Sequence, residues 1–80
     1  MSEFDLRADA RWARGVAEIR GGEHVPFQGD PVYEGIEEAL DLRNYANEAE
    51  RQGRIPSAVA SLVRGAAAFA FGLLRKYEVT

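Results

Sequence analysis

Ala58-Val59-Ala60-Ser61-Leu62-Val63-Arg64-Gly65-Ala66-Ala67-Ala68-Phe69-Ala70-Phe71-Gly72-Leu73-Leu74 is the stretch that decides the fold. Its one charge is Arg64, and Gly65, Ala66, Ala67, Ala68, Ala70 and Gly72 are small. Phe69, Phe71, Leu73 and Leu74 fall on more than one side of a helix, and a helix apolar nearly all round must be covered nearly all round. A glycine inside a helix costs roughly 1 kcal/mol against alanine. Gly65 and Gly72, seven residues apart, therefore point to tight packing against another helix. The expectation is a central helix over about 56–77, covered in part by the rest of the chain. A second copy would meet it at Gly65, Ala68, Phe69, Gly72 and Leu73. The alternative is a monomer with a large apolar patch.

Two further helices follow from punctuation and periodicity. The first is expected over about 2–20, with Ser2 as cap and Asp5 at the capping-box position. Phe4, Ala8, Trp12, Val16 and Ile19 form its apolar stripe, and Arg7, Arg11 and Arg14 form a basic edge. Gly21-Gly22 ends it. Residues 21–31 read as an ordered loop, with Val25 and Phe27 apolar enough to tuck onto the helices. The second helix is expected over about 31–52, capped by Asp30, with Pro31 at its first position and Gly53 as its stop. The chain is thus one all-α domain over 1–80, a three-helix unit pairing into a dimer or higher oligomer.

Composition narrows the function by exclusion. Eighty residues bury a thin core, which favours self-association or a bound ion as a staple. The lack of cysteine removes disulfides, zinc thiolates and cysteine nucleophiles, and fits a reducing cytoplasm. A net charge of −3 argues against general nucleic-acid binding, which needs a basic surface. The start of the chain lacks a basic segment followed by an apolar run, so no signal peptide is read there. The run Gly65–Leu74 is about half of what a bilayer requires. A cytoplasmic protein without a membrane partner is expected.

The chemistry-bearing candidates lie on the second helix. Glu34, Glu37, Asp41 and Glu48 stack along one side, and Ile36, Ala39, Leu42 and Ala46 turn towards the other. Carboxylates at this spacing repel one another unless water, a cation or a basic partner offsets the repulsion. Carboxylate oxygens are the ligands that magnesium prefers. Tyr45 interrupts the polar arc and suggests that part of it is covered. Arg7, Arg11 and Arg14 offer a second use for the acids, lying against Glu34, Glu37 and Asp41 within a bundle or between subunits. The same arginines suit nucleotide phosphates. His24 stands in a Gly/Pro loop without a metal-ligand or catalytic companion, and Trp12 falls on the core stripe.

Glu38-x-x-Asp41 followed by Asn44-Tyr45 resembles the second half of the metal-binding signature of the MazG-like all-α nucleotide pyrophosphohydrolases. The resemblance implies magnesium held by Glu34, Glu37, Glu38 and Asp41, and cleavage between the α and β phosphates of a nucleotide. It spans about a dozen residues, and Glu-x-x-Asp is an unspecific pattern. The family carries an earlier Glu-x-x-Glu pair on a preceding helix, whereas the first helix here has Glu3, Asp5, Asp9 and Glu18 without that spacing. A metal site would need completion by a second subunit. The same tract is also similar to short proteins of actinobacterial phages. Without a complete catalytic constellation, the leading expectation is a small interaction or regulatory module that needs no cofactor and self-associates through its third helix. A magnesium-dependent enzyme is the alternative.

Overall fold

In a computed structural model of the chain, the described residues are 1–18 and 30–79, without the side chains of 14–18. Among these residues three helices are present, α1 (Glu3–Glu18), α2 (Pro31–Arg51) and α3 (Ser57–Arg75). Arg14, Val16, Ile19, His24, Val25 and Phe27 carry expectations that lie outside the described residues or side chains.

Local chemistry places the start of α1 and the ends of α2 and α3 close to where punctuation puts them, while the Gly21-Gly22 stop and most of the loop read over 21–31 lie outside the described residues. The Asp5 N–H donates to the Ser2 hydroxyl, which donates in turn to the Asp5 carboxylate, both at 3.0 Å. The Val32 N–H donates to the Asp30 side chain at 2.9 Å, with Pro31 filling the position that needs no N–H donor. At the far end of α2 the Arg54 N–H reaches the Ala49 carbonyl and the Gly53 N–H reaches that of Glu50, both at 2.9 Å. This is the Schellman pattern, and it requires the left-handed backbone of Gly53, whose φ is +73°. The chain then turns through Pro56 into α3, for which proline supplies no capping side chain.

The helices run up, down and up. Gly35 lies beside Leu74, and Arg64 reaches Asn47 and Glu50, so α2 and α3 are antiparallel. Arg43 reaches Asp5 and Asp9 while Arg11 reaches Asp41, so α1 and α2 are antiparallel as well. Phe4 lies on Phe71 with ring centroids 5.2 Å apart, and Arg7 sits 5.5 Å over the same ring. The core is thin, as a chain of this size dictates. It consists of Phe4, Ala8, Ile36, Ala39, Leu40, Ala67 and Phe71, with Val32, Ala70 and Leu74 partly buried around it. Ala46 and Ala60 are buried nearer the α2–α3 turn.

Three packing expectations are corrected here. Leu42 is exposed, and Leu40 and Asn44 take the buried side of α2. Asn44 meets Ala8 of α1 and Gly35 lies beside Leu74 of α3, with Ile36, Ala39 and Leu40 in the core between them. That rotates the buried arc away from Leu42. Trp12 is 41% exposed, because the described part of α1 touches its neighbours mainly through its first half. Tyr45 is 63% exposed, so the described residues leave most of it uncovered.

Candidate functional site

Two regions carry the expected site residues, the acidic stripe of α2 and the outer face of α3. On α2, Arg11 crosses from α1 and spans two acids one turn apart. Its Nε and Nη2 lie 2.5 and 3.0 Å from the Asp41 carboxylate, and its Nη1 lies 3.1 Å from Glu37. These contacts hold the guanidinium's pKa above its ordinary value, with the Asp41 hydrogen bond as the leading cause. Arg43 makes the reciprocal arrangement in the other direction, with its Nη atoms 3.2 Å from Asp5 and 2.8 Å from Asp9. The expected use of the acids as partners for the basic edge is therefore realised at Arg11.

Arg7 is turned elsewhere. It grips Glu78 with two bonds of 2.9 and 3.2 Å and reaches Glu3 at 3.3 Å, while Arg75 meets Glu3 at 2.6 Å. The Glu3 carboxyl is held below its usual range, first by Arg75, and that of Glu78 is lowered first by Arg7. This ring of four charges fastens the start of α1 to the end of α3. Glu48 binds Arg51 and Gln52 on its own helix, which lowers its carboxyl to about 2. The sequence shows these residues as charged but does not show which helix ends meet. Arg14's side chain is not among those described.

Glu34 and Glu38 stand exposed on the stripe. Among the described residues, no group of three or more His, Cys, Asp or Glu side chains converges to hold a metal ion. To bind at Glu37 and Asp41, magnesium would have to displace Arg11 and draw further ligands from outside the stripe. An open cleft of about 170 Å³ lies beside these residues, lined by Arg7, Ala10, Arg11, Tyr33, Glu37 and Leu40. Both of its guanidiniums are already engaged by carboxylates.

The outer face of α3 presents the opposite chemistry. Leu62 is 75% and Phe69 71% exposed, with Val59 and Leu73 also exposed beside them. Ala58, Gly65, Ala66, Ala68 and Gly72 are exposed on the same helix. The five residues expected at an interface, Gly65, Ala68, Phe69, Gly72 and Leu73, therefore all remain uncovered by α1 and α2. A Cβ added at Gly65 or Gly72 would meet nothing within 4 Å, so neither glycine serves packing inside the described chain. Arg64 does not interrupt this face, since it turns back to Asn47 and Glu50 at 2.9 and 2.8 Å.

Comparison with known protein families, with curated proteins and with solved structures finds no match to this chain. The residues of α3 must then speak for themselves. Counted from Gly65, the apolar run is too short for a bilayer. The whole helix Ser57–Arg75 is long and apolar enough by length and composition to cross one, and little of it is buried.

Proposed function

We propose that this chain is a small protein-interaction module, regulatory in kind, that self-associates through the outer face of α3. The observation that carries the proposal is the exposed row Val59, Leu62, Phe69 and Leu73, together with two glycines that have no use within the described chain. Large apolar side chains grouped on one helix face mark a surface that is covered in use.

A protein partner suits this face better than a lipid one. Along its opposite side α3 carries α2, with Asn47 and Glu50 bound to Arg64. Spanning a bilayer would take that ion pair into hydrocarbon, where charged side chains are costly. A second copy suits it better than a charged partner, because the face offers no charge between Ser57 and Leu74 for such a partner to recognise.

Size sets the expected strength. Nineteen residues make a helix about 28 Å long. A face about 10 Å wide along it spans about 280 Å² on each copy, well under the roughly 800 Å² per partner of a standard interface. Association should therefore be concentration-dependent and accessible to sedimentation velocity between micromolar and near-millimolar protein. The wild-type chain should shift from monomer to dimer across that series. Phe69→Glu should remain monomeric with unchanged helicity, because Phe69 contributes little to the monomer's core. A wild-type chain that stays monomeric at every concentration overturns the proposal.

A further inference from the structure

The outer face of α3 is built in three rows, and their order selects one way of pairing. At 100° per residue, Leu62 and Phe69 lie within about 20° of each other and form the central row. Ala58, Gly65 and Gly72 flank it on one side, spaced seven apart, and none exceeds a methyl group. Val59, Ala66 and Leu73 flank it on the other side at the same spacing. All of these residues are exposed. The face therefore has a narrow edge, a raised middle and a wide edge.

We infer that two copies pair antiparallel along α3, with the two-fold axis passing between Gly65 and Ala66. This inference rests on the self-association proposed above and specifies its geometry. In an antiparallel pair the two-fold stands perpendicular to the plane of the two helix axes, so like edges meet. On the narrow edge Gly65 meets its own copy and Ala58 meets Gly72 of the partner. On the wide edge Ala66 meets its own copy and Val59 meets Leu73 of the partner. In the middle, Leu62 packs on Phe69 of the partner, and the same contact recurs on the other side of the axis. This reciprocity, residue i on j and j on i, is what an isologous interface requires.

The alternative is a parallel pair, which sets Phe69 on Phe69 at one level and Leu62 on Leu62 at another. Those levels differ in volume, so the helices would splay towards the phenylalanine end. The antiparallel pair places one leucine and one phenylalanine at each level and keeps the spacing even. Its narrow edge also brings three pairs of small residues together, which lets the axes approach to about 8 Å. That close approach gives Gly65 and Gly72 a use, where otherwise each only weakens its helix. Electrostatics leaves the choice to shape, since Arg64 faces α2 and no other charge lies between Ser57 and Leu74.

The chain has no cysteine of its own, so introduced thiols report cleanly. Ala58→Cys and Gly72→Cys would be treated with a short bismaleimide, each alone and as an equimolar mixture. Both positions are exposed and outside the core, and circular dichroism of each variant checks the fold. The antiparallel pair should give covalent dimer several-fold more in the mixture than in either variant alone. Fourteen residues separate the two positions, about 21 Å of helix, so a parallel pair cannot join them. Efficient linking of each variant to itself, with no gain on mixing, overturns the antiparallel geometry. So does a wild-type dimer in sedimentation whose cysteine variants never link. A strict monomer in sedimentation removes the self-association reading itself. If that monomer floats with phosphatidylserine-containing vesicles, the face binds a lipid surface instead.

Discussion

The Asn44 side-chain amide donates a 2.8 Å hydrogen bond to the main-chain carbonyl of Ala8, at a point where both residues are buried. The Asn44 oxygen accepts from Arg43 at 2.9 Å, so the amide is satisfied from both ends. The contact fixes where α1 sits along α2, because a shift of either helix would leave a polar group unpaired in the core.

Asn44→Ala should therefore destabilise the fold by about 2 kcal/mol, the usual consequence of losing a buried hydrogen bond and its packing. Urea unfolding followed by circular dichroism measures it. Glu34→Ala, at an exposed position on the same helix, should stay within about 0.5 kcal/mol. Equal effects at the two positions would mean that Asn44 does not anchor α1.

Arg11 holds Glu37 and Asp41 together across the α1–α2 seam. Arg11→Ala should cost about 1 kcal/mol, combining a partly exposed ion pair with repulsion between two acids one turn apart. Millimolar magnesium should leave the Tm of the wild-type chain unchanged. A magnesium-dependent rise that disappears in both Glu38→Ala and Asp41→Ala would instead support the pyrophosphohydrolase that the Glu38-x-x-Asp41 resemblance implies.

Acid should loosen the junction between the start of α1 and the end of α3. Glu3 and Glu78 have carboxyl pKa values lowered by Arg75 and Arg7 in the folded chain. A lowered folded-state value stabilises the fold fully above the ordinary carboxylate value of 4.5 and is lost as pH falls through the folded one. Stability should fall below pH 4.5, and Glu78→Gln should flatten that part of the curve. Glu48 contributes less to the slope despite its value of about 2, since its partners Arg51 and Gln52 lie on its own helix. Those contacts can form in an isolated α2 as well. Thermal melts at closely spaced pH values, wild type against Glu78→Gln, separate the two contributions.

Glycine substitutions should split by sign. Gly53→Ala forces a side chain into the left-handed region and should cost about 1 kcal/mol or more. Gly65→Ala and Gly72→Ala place a methyl in open space and should stabilise the monomer by up to about 1 kcal/mol each. In the same variants the dimer should weaken several-fold, because the narrow edge of α3 is widened. Melting at low concentration reads the first effect and sedimentation at high concentration reads the second.

The all-α class, the start of α1, the ends of α2 and the excess of apolar surface on α3 are legible in the sequence because they depend on neighbours in the chain. Ser2, Asp30, Pro31 and Gly53 act within a turn of where they stand, and the all-α class follows from them. The partners of the arginines are not legible in the same way. Arg7, Arg11 and Arg14 share one spacing, yet Arg11 finds Asp41 whereas Arg7 finds Glu78, far along the chain. That outcome depends on the angle at which α1 crosses its neighbours, which no local pattern encodes. Leu42 and Tyr45 show the same limit, since a modest rotation of α2 decides which apolar residue is covered.

The ring of Glu3, Arg7, Arg75 and Glu78 has a consequence for synthesis. The first helix leaves the ribosome before any of its docking partners, with Phe4 waiting for Phe71 and Arg7 waiting for Glu78. The hairpin of α2 and α3 closes through a short turn, and such local pairing is the fast kind. The junction of α1 with the end of α3 then comes last, although α1 is made first. A nascent chain stopped short of Phe71 should leave α1 held by α2 alone, through Asn44 and Arg11, so the start of α1 and the end of α3 are the parts that join latest.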